Sequence, residues 1–258
     1  MLRWFCADLH IHTCLSPCSD LTMSPKRIIK KAGTRKLDMI GVCDHNSAEN
    51  VLATFNAAKG KKVKVFAGME VTSTEEVHIL ALFDKVEDVL ALQGSVYANL
   101  PPDENKPEVF GEQIIANELD EVEGFNNRLL ISATKLTVAQ IIEKIHRLEG
   151  LAIASHVDRP SYSIIGQLGF IPDDLPLDGL EISANTNVAT TTEKFPGIKK
   201  YPLVTSSDAN NLEEIGCAMT YFYLAEPSVP EIRKALRNEE GRALNIGKGK
   251  GYSNEARD

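Results

Sequence analysis

Short apolar runs alternate with segments of helical periodicity along almost the whole chain. Residues 3–9, 38–43, 63–67, 77–83, 151–155, 177–182, 203–206 and 219–224 read as strands, most of them apolar on both faces, as in a sheet covered on both sides. Ser24-Pro25 opens a helix, serine as N-cap and proline at the first helical position, with Ile28, Ile29 and Ala32 on one face and Gly33 at its end. Ser47 begins a second, with Val51, Leu52, Phe55 and Ala58 on one face and Gly60 at its end. Thr137 begins a third, with Ile141, Ile142, Ile145 and Leu148 apolar and Gly150 as C-cap; 230–236 is the last. Such alternation predicts an α/β fold with a mostly parallel sheet, open or closed into a barrel. Residues 97–130 break the rhythm and read as an insertion: Pro101-Pro102-Asp103 signals a loop, and 110–130 fits either a helix or a β-hairpin. One domain therefore spans 1–246, and 247–258, glycine-rich at its start, reads as a flexible tail.

Composition leaves that picture intact. A chain of 258 residues, 43% apolar and 25% charged, has the make-up of a globular protein and needs no staple for its core. No apolar run reaches the roughly 18 residues of a membrane span, and the first residues lack a signal-peptide core. Five cysteines (Cys6, Cys14, Cys18, Cys43, Cys217) cannot all pair, which reads as reduced thiols in the cytoplasm. The net charge of −8 argues against a nucleic-acid partner, which normally meets a basic face.

The candidate chemistry lies at the strand ends. His10 and His12 follow the first strand; on an extended segment they project to one side, where two imidazoles can grip one ion. His45 follows the second strand, Glu70 the third, His156 the run at 151–155 and Asp208 the run at 203–206. The carboxyl ends of parallel strands share one face, so these five ends would converge. His78 lies just before or inside the fourth strand, and Asp20 either caps a turn before Ser24 or reaches the site. His146 sits in the last turn of the third helix, where a cation suits the dipole, and is assigned no chemistry. Mixed imidazole and carboxylate donors suit Zn, Mn or Fe. Eight candidates exceed what one ion uses, which implies two or three divalent ions with a bridging carboxylate.

These residues stand in Asp8-Leu9-His10-Ile11-His12-Thr13, Asp44-His45-Asn46, Gly68-Met69-Glu70, His78, Ser155-His156-Val157-Asp158-Arg159, Leu180-Glu181-Ile182 and Ser207-Asp208-Ala209-Asn210. In that order they resemble the PHP (polymerase and histidinol phosphatase) family. The resemblance implies a distorted (β/α)7 TIM-like barrel, a di- or trinuclear metal centre, and hydrolysis of phosphate esters by a metal-bound hydroxide. It also implies that His10, His12, Glu70 and Asp208 hold a first ion, and that Glu70 bridges to a second on His78 and His156. Asp20 and His45 would hold a third with a histidine two positions after Asp208, where this chain has Asn210. A neutral amide oxygen is a weaker donor than imidazole, so the third ion is expected to bind weakly, only with substrate, or not at all. Arg159 matches an arginine that members of the family place on the substrate phosphate, which a guanidinium forks well.

Cys14, Cys18 and Cys43 lie close in sequence to these ligands, but the family gives their positions no ligand role, and they read as buried or loop thiols. The expectation is a phosphoric-ester hydrolase, most simply a phosphomonoesterase. Glu70, Asp208 and Arg159 would act in catalysis on a small phosphorylated substrate such as a nucleotide or sugar phosphate. Two other readings stay open: a catalytically weak, metal- or ligand-binding regulatory module, which Asn210 motivates, and metal-assisted amide or lactone hydrolysis. The oligomeric state is left open.

Overall fold

The computed structural model describes residues 1–184 and 186–248. Its strands are β1 (Arg3–Ile11), β2 (Met39–Val42), β3 (Lys64–Thr72), β4 (His78–Phe83), β5 (Ile114–Ala116), β6 (Val122–Phe125), β7 (Leu151–Ala154), β8 (Gly179–Ile182), β9 (Leu203–Thr205), β10 (Ala218–Leu224) and β11 (Ala243–Lys248). Its α-helices are α1 (Pro25–Thr34), α2 (Val51–Ala57), α3 (Val86–Tyr97), α4 (Pro107–Phe110), α5 (Val138–Arg147), α6 (Ile164–Leu168), α7 (Val188–Lys194) and α8 (Val229–Leu236).

Nine strands form one sheet in the order β11-β10-β1-β2-β3-β4-β7-β8-β9. The runs β1–β2–β3 and β7–β8–β9 are parallel, but β4 is antiparallel to both its neighbours, and β10 runs antiparallel to β1. The sheet curls until β9 meets β10. There the Thr205 N–H donates to Thr220 Oγ1 and the Thr220 hydroxyl donates to Thr205 O. Just beyond β9, Ala209 exchanges backbone hydrogen bonds with His10 and His12 of β1 and its end. The result is an α/β, barrel-like architecture, the closed form of the two that strand–helix alternation allows, but half of the eight strand pairings are antiparallel where a mostly parallel sheet is expected.

Alternation along each strand divides the apolar residues into two layers. Phe5, Ala7, Leu9, Met39, Phe66, Leu80, Leu82, Ile153 and Phe222 fill the interior, joined by Val229 and Ile232 of α8. Ile40, Val42, Ala81 and Phe83 join the outer layer, where α1 contributes Ile28, Ile29 and Ala32 and α5 contributes Ile141, Ile142 and Ile145. Helix α5 begins with a full capping box: Gln140 N–H donates to Thr137 Oγ1, and Thr137 N–H to Gln140 Oε1.

Several expectations are corrected. The second helix starts at Val51, with Ser47 outside it and hydrogen-bonded to Tyr97. Leu52 is 53% exposed, because a helix of only seven residues turns Val51 and Thr54 inward instead. Gly150 is not the C-cap; Leu148 is, and Glu149 takes the left-handed φ of 60°. Gly150 answers a different need, since a Cβ there would collide with the Phe83 ring. Ser24 is the N-cap of α1 by position, but its hydroxyl makes no capping bond. The insertion resolves into the hairpin alternative, β5–β6, after the short α4. It follows α3, which buries Val86, Val89, Leu92 and Val96 and was missed. Gly247 and Lys248, expected in the tail, end β11; residues 249–258 lie outside the described residues. Among the described residues, no helix is long and apolar enough to cross a membrane.

Asp178 ties four elements together just before β8. Its carboxylate accepts from the Ala152 N–H at 2.9 Å and His146 Nε2 at 2.9 Å, and Arg233 Nε approaches at 3.4 Å. Burial pushes its carboxyl up, but the His146 and Ala152 hydrogen bonds and the Arg233 charge outweigh that and hold it below the usual carboxylate range. With the folded value below the unfolded one, this stabilisation is present above the ordinary aspartate value of about 3.9 and is lost as pH falls through the folded value. Asp178→Ala should cost about 1–3 kcal/mol in urea unfolding at neutral pH, and the gap to wild type should narrow in acid. An undiminished gap at low pH would sink the assignment.

Candidate metal centre

Seven of the eight candidate ligands meet at one mouth of the barrel. His10 and His12 come from the end of β1, His45 from just beyond β2, Glu70 from β3, and His156 and Asp208 from just beyond β7 and β9. His78 is the first residue of β4. Because β4 is antiparallel, its start lies at the same mouth as the carboxyl ends of the parallel strands, with His78 beside Thr72 of β3.

Local backbone irregularity aims several of these side chains. Leu9 belongs to the interior layer and Ile11 to the outer one, so the alternation changes phase at the register shift between Asp8 and Ile11. That shift brings His10 and His12 to the interior side. Gly41 lets β2 press against it, since a Cβ there would collide with Leu9 O. His156 (φ 30°), Asp208 (φ 50°) and Asn46 (φ 51°) hold left-handed backbone, a cost typical of functional turns.

Glu70 is the hub. Its Oε1 lies 3.1 Å from His78 Nδ1, 3.3 Å from His156 Nε2 and 3.4 Å from His10 Nε2; its Oε2 lies 3.2 Å from His45 Nδ1 and 3.7 Å from His12 Nε2. The five imidazoles close a ring around it, with successive centroids 5.0, 4.8, 5.1, 5.4 and 6.3 Å apart in the order His10, His12, His45, His78, His156, His10. Asp208 Oδ1 lies 3.0 Å from His12 Nε2 and 3.4 Å from His10 Nε2, while its Oδ2 accepts from Arg159 Nη2 at 2.7 Å.

Buried carboxylates behind this ring set its orientation. Glu181 accepts from His10 Nδ1 at 2.9 Å, which leaves Nε2 facing Glu70 and Asp208. Ser16 Oγ lies 3.0 Å from His12 Nδ1 and itself donates to Asp44, which also accepts from the Thr13 N–H and hydroxyl. Asp8 accepts from the Ser207 N–H and hydroxyl and the Gly216 N–H, tying the Asp208 turn to β1. All three acids stand within the family-like stretches, yet sequence reasoning gave them no role; the signal was their place beside the ligands. Metal-bound imidazoles regularly have such carboxylate partners.

The electrostatics follow from crowding. Burial would push His10 down, but Glu181, Glu70 and Asp208 outweigh it and hold the imidazole well above the usual histidine range. Burial dominates at His45, helped by His12 and His78, and holds it well below that range. Asp208 is held below the usual carboxylate range: burial opposes this, but His10 and His12 prevail. Burial pushes Asp8 up to about 6 against its Ser207 and Gly216 hydrogen bonds.

The donor set fits divalent ions. His10 Nε2, His45 Nδ1, His78 Nδ1, His156 Nδ1 and Glu70 Oε1 are buried without a hydrogen-bond partner. Donors about 2.1 Å from one tetrahedral ion would stand roughly 3.4 Å apart, close to the spacings around Glu70. His10, His12 and Asp208 form one set of donor atoms within 4.8 Å of one another; His45, Glu70 and His78 form another, and His12, Cys18 and His45 a third. Asp20 does not join them: its carboxylate is exposed and accepts from the Thr22 N–H. Asn210 adjoins the site, its Nδ2 donating to Asp208 O and its Oδ1 buried without a partner.

A barrel-like α/β sheet with such a mouth is the arrangement of a metal-dependent hydrolase. The PHP domain model matches residues 8–165, more than half of the chain, and the chain belongs to that family. An uncharacterized protein of Methanocaldococcus jannaschii is 27% identical over 68% of this chain and 80% of its own length. The lesion-specific Endonuclease Q of Pyrococcus furiosus superposes with a TM-score of 0.65 at 18% identity, covering 93% of this chain. This chain spans only 57% of that endonuclease's length. A structure of Endonuclease Q with a 27-mer duplex substrate, an abasic lesion at its active site, superposes with a TM-score of 0.63 at 18% identity over 93% of this chain and 58% of that one. A putative metal-dependent phosphoesterase of Bifidobacterium adolescentis gives 0.56 at 15% identity, over 79% of this chain and 87% of its own.

The likeness to Endonuclease Q overturns the expected partners, a small phosphorylated substrate and no nucleic acid. Net charge is a weak guide to such a partner because it sums over the whole surface, whereas phosphate binding is local. Even in this acidic chain Lys26, Lys30, Lys36, Lys61 and Lys62 line one groove.

Zn²⁺ or Mn²⁺ at about 100 times its Kd should add about 2.7 kcal/mol, roughly 5–10 °C in Tm for a chain of this size. Scanning calorimetry of the metal-free protein would read this shift. The double variant His10→Ala, His12→Ala should lose most of it, and an unmoved wild-type Tm would count against a metal centre.

Proposed function

We propose that the protein is a metal-dependent phosphodiesterase that cleaves a nucleic-acid backbone at the barrel mouth. The observation that carries the reading is the ring of five imidazoles around Glu70, open on one side to Asp208 and the half-exposed Arg159. His10, His12, Glu70 and Asp208 would hold one ion, and Glu70 would share in holding a second with His78 and His156. Bound there, divalent ions act as Lewis acids on the phosphoryl oxygens and lower the pKa of water.

The chain's own groups do the rest. Arg159, 43% exposed at its side chain, exchanges its contact with Asp208 for the scissile phosphate, where its planar fork matches two oxygens. Glu181, Ser16 and Asp44 keep His10 and His12 in one tautomer and orientation. Tyr162, 42% exposed and stacked on His78 at 4.8 Å, offers an aromatic ring beside the cluster on which a base can rest.

Labelled single-stranded, duplex and abasic-site oligonucleotides, incubated with Mn²⁺ or Zn²⁺, test this. Cleavage should stop with chelator and fall about 10²–10³-fold in Arg159→Ala, as when one group on the developing charge is removed. Tyr162→Ala should raise KM more than it lowers kcat. If the metal-loaded protein cut none of the three, the nuclease reading would be wrong.

A further inference from the structure

Cys18 lies in the loop between β1 and α1, the exposed thiol nearest the cluster in sequence. Its Sγ, a nitrogen of His12 and a nitrogen of His45 stand within 4.8 Å of one another. His45 is 5% exposed, and its Nδ1 is buried without a hydrogen-bond partner. The oxygen donor expected at this end of the site is elsewhere: the Asp20 carboxylate is exposed and engaged with the Thr22 N–H. At position 210 the chain offers only a neutral amide.

We infer that Cys18 is a metal ligand, its thiolate joining His45 on one divalent ion of the centre, next to the ion that His12 would hold. Binding breaks the S–H bond and forms a sulfur–metal bond, and the proton leaves to solvent. The loop is built to hold this position. Ser19 N–H donates to Ser16 O, the Ser19 hydroxyl to Asn210 O, and Asp20 N–H to the same carbonyl at 2.8 Å, so the turn carrying Cys18 is fastened to the strand-end turn that carries Asp208. An anionic sulfur also supplies the negative charge that the Asp20 carboxylate, engaged with the Thr22 N–H, does not bring to the site. A soft thiolate beside an imidazole selects Zn²⁺, Fe²⁺ or Co²⁺ over Mn²⁺ and Mg²⁺, which favour oxygen.

This inference rests on the reading of the mouth as a metal centre, and cobalt separates the two. Titration of the metal-free full-length protein with Co²⁺ should raise visible d–d bands together with a near-ultraviolet thiolate-to-cobalt charge-transfer band. Cys18→Ser should lose the charge-transfer band and keep the d–d bands, and Cys217→Ser, which removes the other exposed thiol, should keep both. Zn²⁺ should also slow alkylation of Cys18 by iodoacetamide about tenfold or more, read by peptide mass spectrometry. Wild-type d–d bands without charge transfer, a charge-transfer band that survives in Cys18→Ser, or alkylation indifferent to Zn²⁺ would each overturn the role of Cys18 and leave the metal centre standing. Absence of any cobalt band would overturn the metal centre and this ligand with it.

Discussion

A carboxylate with almost no access to water, Glu70, sits inside a ring of five imidazoles, and much of the barrel mouth is arranged to make that tolerable. Burying one unpaired charge costs several kcal/mol. Here Asp8, Asp44 and Glu181 are buried nearby as well. Asp8 and Asp44 are satisfied by several named donors and Glu181 by His10 through one oxygen only, whereas Glu181 Oε1, Glu70 Oε1 and several nitrogens that face Glu70 have no partner. Unsatisfied acceptors aimed at one another are what a site for cations requires, and a folded chain rarely retains them for stability alone.

The strand directions make the ring possible. A sheet with every strand parallel would carry the first residue of β4 to the far end of the barrel. Reversal of β4 brings His78 to the mouth, and the phase change in β1 turns His10 and His12 toward the same point. Left-handed backbone at His156 and Asp208 completes the aim from the opposite side. Left-handed backbone occurs elsewhere too, as at Glu149, but at these two turns it aims donors, while the interior below is ordinary close packing of Phe5, Phe66, Leu82 and Phe222.

Much of this was legible in the chain. Apolar runs marked the strands of the barrel apart from β11, and donors at their ends marked the mouth. What escaped has specific causes. Periodicity does not report strand direction, so His78 could not be placed until its neighbours were known. Leu52 was assigned inward because a seven-residue helix gives too little pattern to fix its phase. Gly150 looked like a cap because glycine serves both turns and close approaches, and only the Phe83 ring distinguishes them. The Asp20 side chain satisfies its own turn instead of reaching inward, a local competition that spacing does not reveal. Cys18 was discounted on the family pattern, although the fold of its loop brings it beside two histidines.

Donors drawn from both ends of the chain have a consequence for biosynthesis. His10 is synthesised with β1, and Asp208 only after β9. Until that last turn docks on β1, the earlier imidazoles face an unfinished wall. Competence of the set of His10, His12 and Asp208 to hold an ion therefore arrives late, at the closing of the seam, whereas the set of His45, Glu70 and His78 is complete once β4 has paired with β3.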